Sequence, residues 1–149
     1  MVWVIVRSVC ARGDTCVHPT DPDEAVARQL WLEPPPGLVV VAADASGQVV
    51  GSAKMGPNRM GPGRHVATAS FMVAEDERSD GIGRMLGRFA IDWATAQGYR
   101  AMRFNAVVEA NRPGLWRSLG FRIVGTVPEA FLHPTEDYVG LHVMHRRLP

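Results

Sequence analysis

Seven residues in mid-chain carry most of the chemistry the sequence offers: Arg78-Ser79-Asp80-Gly81-Ile82-Gly83-Arg84. They follow an apolar run ending Phe71-Met72-Val73-Ala74 and open an amphipathic run that continues to Gln97. The pattern predicts a strand, a tight glycine turn and a helix. The first N–H groups of a helix lack an intrahelical acceptor and stand at the positive end of its dipole, so a helix start suits a phosphate. Gly81 and Gly83 carry no Cβ to keep a ligand off the backbone. The expectation is a phosphorylated cofactor held in mid-sequence.

The identity of that cofactor turns on context. Gly81-x-Gly83-x-x-x-Gly87 also has the form of a dinucleotide-binding fingerprint, a weak signal when it stands alone. Such a fingerprint normally follows the first strand of a parallel βαβ series. Here three strands precede it, two of them in a hairpin pattern, which argues against a nicotinamide-dependent oxidoreductase. Gly87 falls in mid-helix, where a close-packing role explains it. No Gly-Lys-Ser/Thr triphosphate loop is present.

The elements that must position this turn can be read in order. With 149 residues, 46% hydrophobic and 21% charged, the chain suits one domain (1–149) with a real core. A formal net charge of +1 gives no reason to expect nucleic acid or an anionic membrane as partner. The apolar start, Val2 to Val6, is too short for a signal h-region or a membrane span, so the expected location is cytoplasmic. Cys10 and Cys16 alone make no disulfide framework. Residues 2–10 are valine-rich, which favours a strand, although so short an apolar run is ambiguous. Asp21-Pro22-Asp23-Glu24 predicts a helix start with Asp21 as N-cap, and Pro34-Pro35-Pro36 a stop after Leu32. Leu38–Ala43 and Gln48–Lys54 predict a hairpin. The glycine- and proline-rich stretch 55–65 reads either as a lid or binding edge or as a mobile connection. Strands are expected at His65–Ala74, Ala101–Val108, Phe121–Val127 and Tyr138–Arg146. Helices are expected at Gly81–Gln97 and Pro113–Leu119. The result is an α/β fold with a mixed sheet whose one parallel crossover surrounds the glycine turn.

Arg78-x-x-Gly81-x-Gly83, between strand and helix in the second half of such a chain, resembles the acyl-CoA pyrophosphate loop of the GCN5-related N-acetyltransferase (GNAT) superfamily. Leu115-Trp116-Arg117-Ser118-Leu119-Gly120-Phe121 resembles its closing helix-to-strand signature. Gly125-Thr126-Val127, His133 and Val139-Gly140-Leu141-His142-Val143 resemble the phosphinothricin-acetyltransferase-like branch. The similarity covers roughly residues 15–149. It implies a GNAT-like fold and acetyl-CoA as cosubstrate. The backbone of Arg78, Ser79, Asp80, Gly81, Ile82, Gly83 and Arg84 would hold the pyrophosphate. Phe71, Met72 and Val73 would line the acetyl-pantetheine arm, with backbone N–H groups polarising the thioester carbonyl. Asn111 matches a position that contacts cofactor, or else caps the next helix.

On that reading the function is direct acetyl transfer to the amine of a small, amino-acid-like molecule. The alternative is a degenerate, non-catalytic acyl-CoA-binding protein. No cysteine lies near the site in sequence, which agrees with direct transfer. The ammonium must lose a proton, and Glu109 and Glu75, at the ends of the flanking strands, are the candidate bases. The position of the usual tyrosine acid is Trp116, whose indole N–H cannot deliver a proton. Tyr138 could take that role from elsewhere, and His133 could line the acceptor pocket. His142 and His145 have opposite strand parity, and no zinc spacing is present, so no metal is expected. Three departures from the superfamily pattern stand out: the opening strand is absent, with residues 2–12 as the remnant of a helix; the stretch 111–116 is about two residues short; and Asp80 places a carboxylate where a phosphate would bind. An absent edge strand would expose backbone and apolar surface, inviting a homodimer or instability.

Overall fold

The computed structural model describes residues 2–75, 81–111 and 113–149. Helix α1 spans Val2–Arg12 and α2 spans Glu24–Trp31. Strands β1 (Leu38–Ala43), β2 (Val49–Pro57) and β3 (Val66–Val73) follow. Helix α3 is Ile82–Ala96, β4 is Ala101–Val108 and α4 is Gly114–Ser118. Strands β5 (Arg122–His133) and β6 (Asp137–Arg147) close the chain. They form one six-stranded sheet in the order β1-β2-β3-β4-β6-β5. All neighbours are antiparallel except β3 and β4, the pair joined through α3.

The valine-rich start is a helix, not a strand. Ile5, Val6, Val9 and Cys10 are buried, a helical stripe that packs against α2 and the sheet. Burial of that stripe outweighs the small helix penalty of β-branched residues. Among the described residues no strand precedes it, and β1 forms that edge of the sheet. Asp23, not Asp21, caps α2: its carboxylate accepts from the Val26 N–H at 2.8 Å, and Pro22 is buried ahead of the helix. The stretch 55–65 is partly strand, since β2 runs to Pro57, followed by a 3-10 turn at Gly61–Gly63. Its base is tied down by Asn58, whose N–H donates to Val66 O and whose Oδ1 accepts from Asn105 Nδ2 at 2.7 Å.

The two faces of the sheet carry two cores. Register sets which residues share a face: Ser52 opposes Met72, Lys54 opposes Ser70 and Gly56 opposes Thr68. This face meets α1 and α2, with Trp31, Ala27 and Met72 in one buried cluster. The other face presents Ala53, Met55 and Ala69 to Leu86, Ala90 and Ile91 of α3. Close approach there depends on two glycines. A Cβ on Gly51 would meet Ile82 Cγ2 at 2.8 Å, and one on Gly87 would meet Leu119 Cδ1 at 2.8 Å and Trp116 Cζ3 at 3.0 Å. Gly87 is therefore a packing residue.

The feature that shapes the site is the junction of β3 and β4. They pair only at Val66↔Ala101 and Ala67↔Met102. Beyond those pairs, residues 68–73 and 103–108 run on without bonding to each other, each held only by its outer neighbour. The sheet is thus split from one end.

Candidate active site

Helix α3 begins beside that split. Its N-cap, Gly81, sits at φ +78°, a left-handed conformation that a residue with a Cβ adopts at a cost. Among the described residues no side chain caps the helix, and Gly81 O accepts from Met85 N–H at 2.9 Å. The N–H groups of Ile82, Gly83 and Arg84 precede the first intrahelical bond, made by Met85 N–H to Gly81 O. Gly83 packs against Leu115, where an added Cβ would stand 3.4 Å from Cδ2. Arg78, Ser79 and Asp80, and with them the expected repulsion at Asp80, lie outside the described residues.

The split opens into a cavity of about 480 Å³. Its floor is aromatic. Trp116 of α4 lies 4.8 Å, centroid to centroid, from both Phe71 and Phe104, and Phe104 stacks on Phe121 at 4.2 Å. These rings fill the gap that the missing β3–β4 hydrogen bonds leave. Phe71, Met72 and Asn111 line the cavity, whereas Val73 packs into the core beneath α3. Asn111 does not cap α4: its Nδ2 donates to Asp14 O at 2.6 Å, and Pro113 holds the cap position without a side-chain bond.

Because the strands part, the cavity reaches both faces of the sheet. On the α1/α2 face its wall includes His18, Trp31, Glu33, Lys54, Ser70 and Asn105. Trp31 is fixed by a buried chain in which its Nε1 donates to Ser52 Oγ at 2.9 Å, and that hydroxyl donates to Val40 O at 2.8 Å. Lys54 Nζ donates to Leu30 O at 2.6 Å, stands 4.0 Å from Glu33 Oε2 and lies 5.8 Å from the Trp31 ring centre. Burial, and then the Lys54 cation, hold the His18 imidazole below its ordinary pKa.

Other expected site residues stand elsewhere. Glu109 is exposed, and its Oε2 accepts the Gly140 N–H at 2.8 Å, bracing β6. Glu75 is exposed at the end of β3. Neither is among the described cavity-lining residues, whose carboxylate is Glu33. His133 Nδ1 accepts from the N–H groups of Thr135 and Glu136 in the β5–β6 turn, and Tyr138 at the start of β6 is exposed. Cys16 corrects another expectation: it lines the cavity, with its Sγ 3.5 Å from Cys10 Sγ. Burial, and then Cys16, push the Cys10 thiol up to about 12.

Sequence reading missed Trp31, Glu33, Lys54 and His18. Alternation along β2 puts Ser52, Lys54 and Gly56 on one face, but only the docking of α2 shows that this face borders the cavity.

Residues 6–121 match the acetyltransferase (GNAT) family. The chain belongs to that family. The GNAT architecture extends along the whole molecule. A GCN5-related N-acetyltransferase from Kribbella flavida is 53% identical and superimposes with a TM-score of 0.92, covering 98% of this chain and 89% of that one. A GNAT phosphinothricin acetyltransferase from Sinorhizobium meliloti, solved with acetyl-CoA, is 26% identical with a TM-score of 0.86, covering 99% of this chain and 81% of that one. The L-methionine sulfoximine/L-methionine sulfone acetyltransferase of Pseudomonas aeruginosa is 34% identical over 77% of this chain and 70% of its own length. Fission yeast N-acetyltransferase aca1 is 29% identical over 78% of this chain, and the match spans only 57% of the yeast protein.

Proposed function

We propose that this GNAT protein is an acetyl-CoA-dependent N-acetyltransferase that moves the acetyl group directly to the amine of a small, amino-acid-like molecule. The observation that carries this reading is the parting of β3 and β4 beside the glycine start of α3. One cavity there reaches both sheet faces, so two reactants can enter from opposite sides. The fit to acetyl-CoA is good: the N–H groups after Gly81 suit a pyrophosphate, and Phe71 and Met72 offer an apolar wall beside unpaired strand backbone. Bound there, acetyl-CoA supplies an activated thioester carbonyl. Strand N–H groups along β3 beyond Ala67 are available to that carbonyl's oxygen.

The net reaction converts an ammonium and a thioester into an amide, a thiol and one released proton. The C–S bond breaks and the C–N bond forms. Glu109 and Glu75 could serve only through water, given where they stand, and Trp116 packs the floor. The relatives named for phosphinothricin and methionine sulfoximine support the acceptor class. We place the protein in the cytoplasm, as one domain, with no nucleic-acid or membrane partner; no helix of the described residues is long and apolar enough to cross a membrane. Exposed Val124, Val127 and Leu132 on the edge strand β5 support a homodimer.

Titration calorimetry with acetyl-CoA, with NADPH as control, tests the cofactor. Micromolar binding of acetyl-CoA alone is expected. Thiol release with L-methionine sulfoximine then tests turnover. Binding without release from any small amine would favour the non-catalytic alternative.

A further inference from the structure

The α1/α2 wall of the cavity carries one ammonium among its described residues, Lys54, and no arginine. Its Nζ makes one hydrogen bond, to Leu30 O, while Glu33 Oε2 at 4.0 Å lies beyond hydrogen-bond reach. An ammonium has three donors, so Lys54 keeps capacity for a ligand. Glu33 lies against two glycines: a Cβ on Gly56 would meet its Oε1 at 3.0 Å, and one on Gly37 would collide with its Cγ. Glu33 is the one carboxylate among the described wall residues, at ion-pair distance from Lys54. The other neighbours add no negative charge: His18 is held below its ordinary pKa, and Ser70 and Asn105 are uncharged. A half-buried cation whose paired carboxylate leaves its donors open can take an anion.

Its place in the fold says which reactant brings that anion. Lys54 lies opposite Ser70, three residues back along β3 from Val73, which leads towards α3. It is on the α1/α2 face, whereas α3 packs on the other face. Resting on the acetyltransferase reading, we propose that Lys54 is the specificity-determining residue for the acceptor, anchoring an acid group carried a short distance from the amine. Trp31, fixed by Ser52, forms the adjoining flat wall, and Glu33 pairs with the ammonium at 4.0 Å without taking one of its hydrogen-bond donors.

The test compares L-methionine sulfone with its methyl ester, which keeps the amine and loses the acid. The wild-type protein should favour the acid by about tenfold or more in kcat/KM. Lys54→Met should abolish that preference by raising KM for the acid far more than KM for the ester. Lys54→Arg should restore part of it. Lys54→Gln is the second variant should the methionine form fold poorly. Calorimetry of both compounds into CoA-loaded protein should give the same order in Kd. That readout separates the two readings: acid-selective binding that depends on Lys54, without turnover, would sink the acetyltransferase reading and leave this one standing. Equal wild-type use and binding of acid and ester, binding of neither, or equal losses on both in Lys54→Met would overturn it. The last result would mark Lys54 as only a strap on the end of α2.

Discussion

The two walls of the cavity are built by different means. On the α3 side the groups we propose to meet the ligand are backbone: a left-handed Gly81, the N–H groups behind it and the edge of β3 left unpaired with β4. Side chains there mainly fill space, as Phe71, Phe104 and Trp116 do. On the α1/α2 side the cavity is lined by side chains from residues far apart in sequence, His18, Trp31, Glu33 and Lys54. A backbone wall suits a reactant common to a whole family, since it tolerates much substitution. A side-chain wall can change acceptor with a few replacements. The contrast predicts that substitutions on the first side act through packing or glycine geometry, and those on the second through specific polar contacts.

The largest effect is expected where the second wall is anchored. Trp31 is 3% exposed and Ser52 is fully buried. Trp31→Ala should cost about 3–5 kcal/mol, the range for removing a large buried aromatic. Urea unfolding should show it as a shift in midpoint. Ser52→Ala should cost less, about 1–3 kcal/mol, by leaving the indole N–H without its acceptor. A loss below 1 kcal/mol for Trp31→Ala would show the second wall to be independent of the core and would weaken the contrast.

Gly87→Val probes the first wall. Its side chain would drive into Leu119 and Trp116, so α3 and α4 must separate. Overpacking of this kind costs about 1–3 kcal/mol. Because Trp116 also floors the cavity, acetyl-CoA affinity should fall with stability, while the ratio of acid to ester acceptors stays at its wild-type value. A changed acceptor ratio would mean that the two walls are not separable.

That difference in construction also decides how much was legible in the sequence. The glycine turn announced itself because its signal is local: Gly81 and Gly83 between an apolar strand and an amphipathic helix. Helix α3 and strands β1 and β4 fall where the pattern put them, for the same reason. The capping signal of α2 was two residues off, since Asp21 and Asp23 both precede an acidic first turn and only the burial of Pro22 separates them. Helix α1 was ambiguous because its valines fit a strand locally, and the helical stripe matters only once Trp31 and Met72 are there to cover it. Lys54 and Glu33 carry no local mark at all. They are 21 residues apart, brought together by the docking of α2 on β2.

His18 offers a finer measure of the second wall. Its pKa is lowered first by burial and second by Lys54. Removing the cation in Lys54→Met should raise it, though not to the ordinary value, because burial persists. An imidazole depressed in the fold stabilises above its unfolded pKa, near 6.5, and that contribution is lost as pH falls through the folded value. Lys54→Met should therefore resist acid slightly better than wild type over that window. Following the ring protons by NMR gives the shift directly; a His18 that titrates unchanged would place Lys54's charge away from the wall.

The smallest expected effect concerns Cys16. Its presence on the cavity wall raises the question of whether the acetyl group pauses on sulfur. Cys16→Ser answers it. Direct transfer needs no thiol, and serine keeps a polar partner for Cys10 Sγ, so turnover should change by about twofold or less. The buried Cys10 is no substitute, since a thiol pushed up to about 12 is almost wholly protonated at neutral pH. A loss of a hundredfold or more, with acetyl-CoA affinity kept, would instead point to a thioester on Cys16. The side-chain wall would then take part in the chemistry itself, and its contrast with the backbone wall would have to be drawn differently.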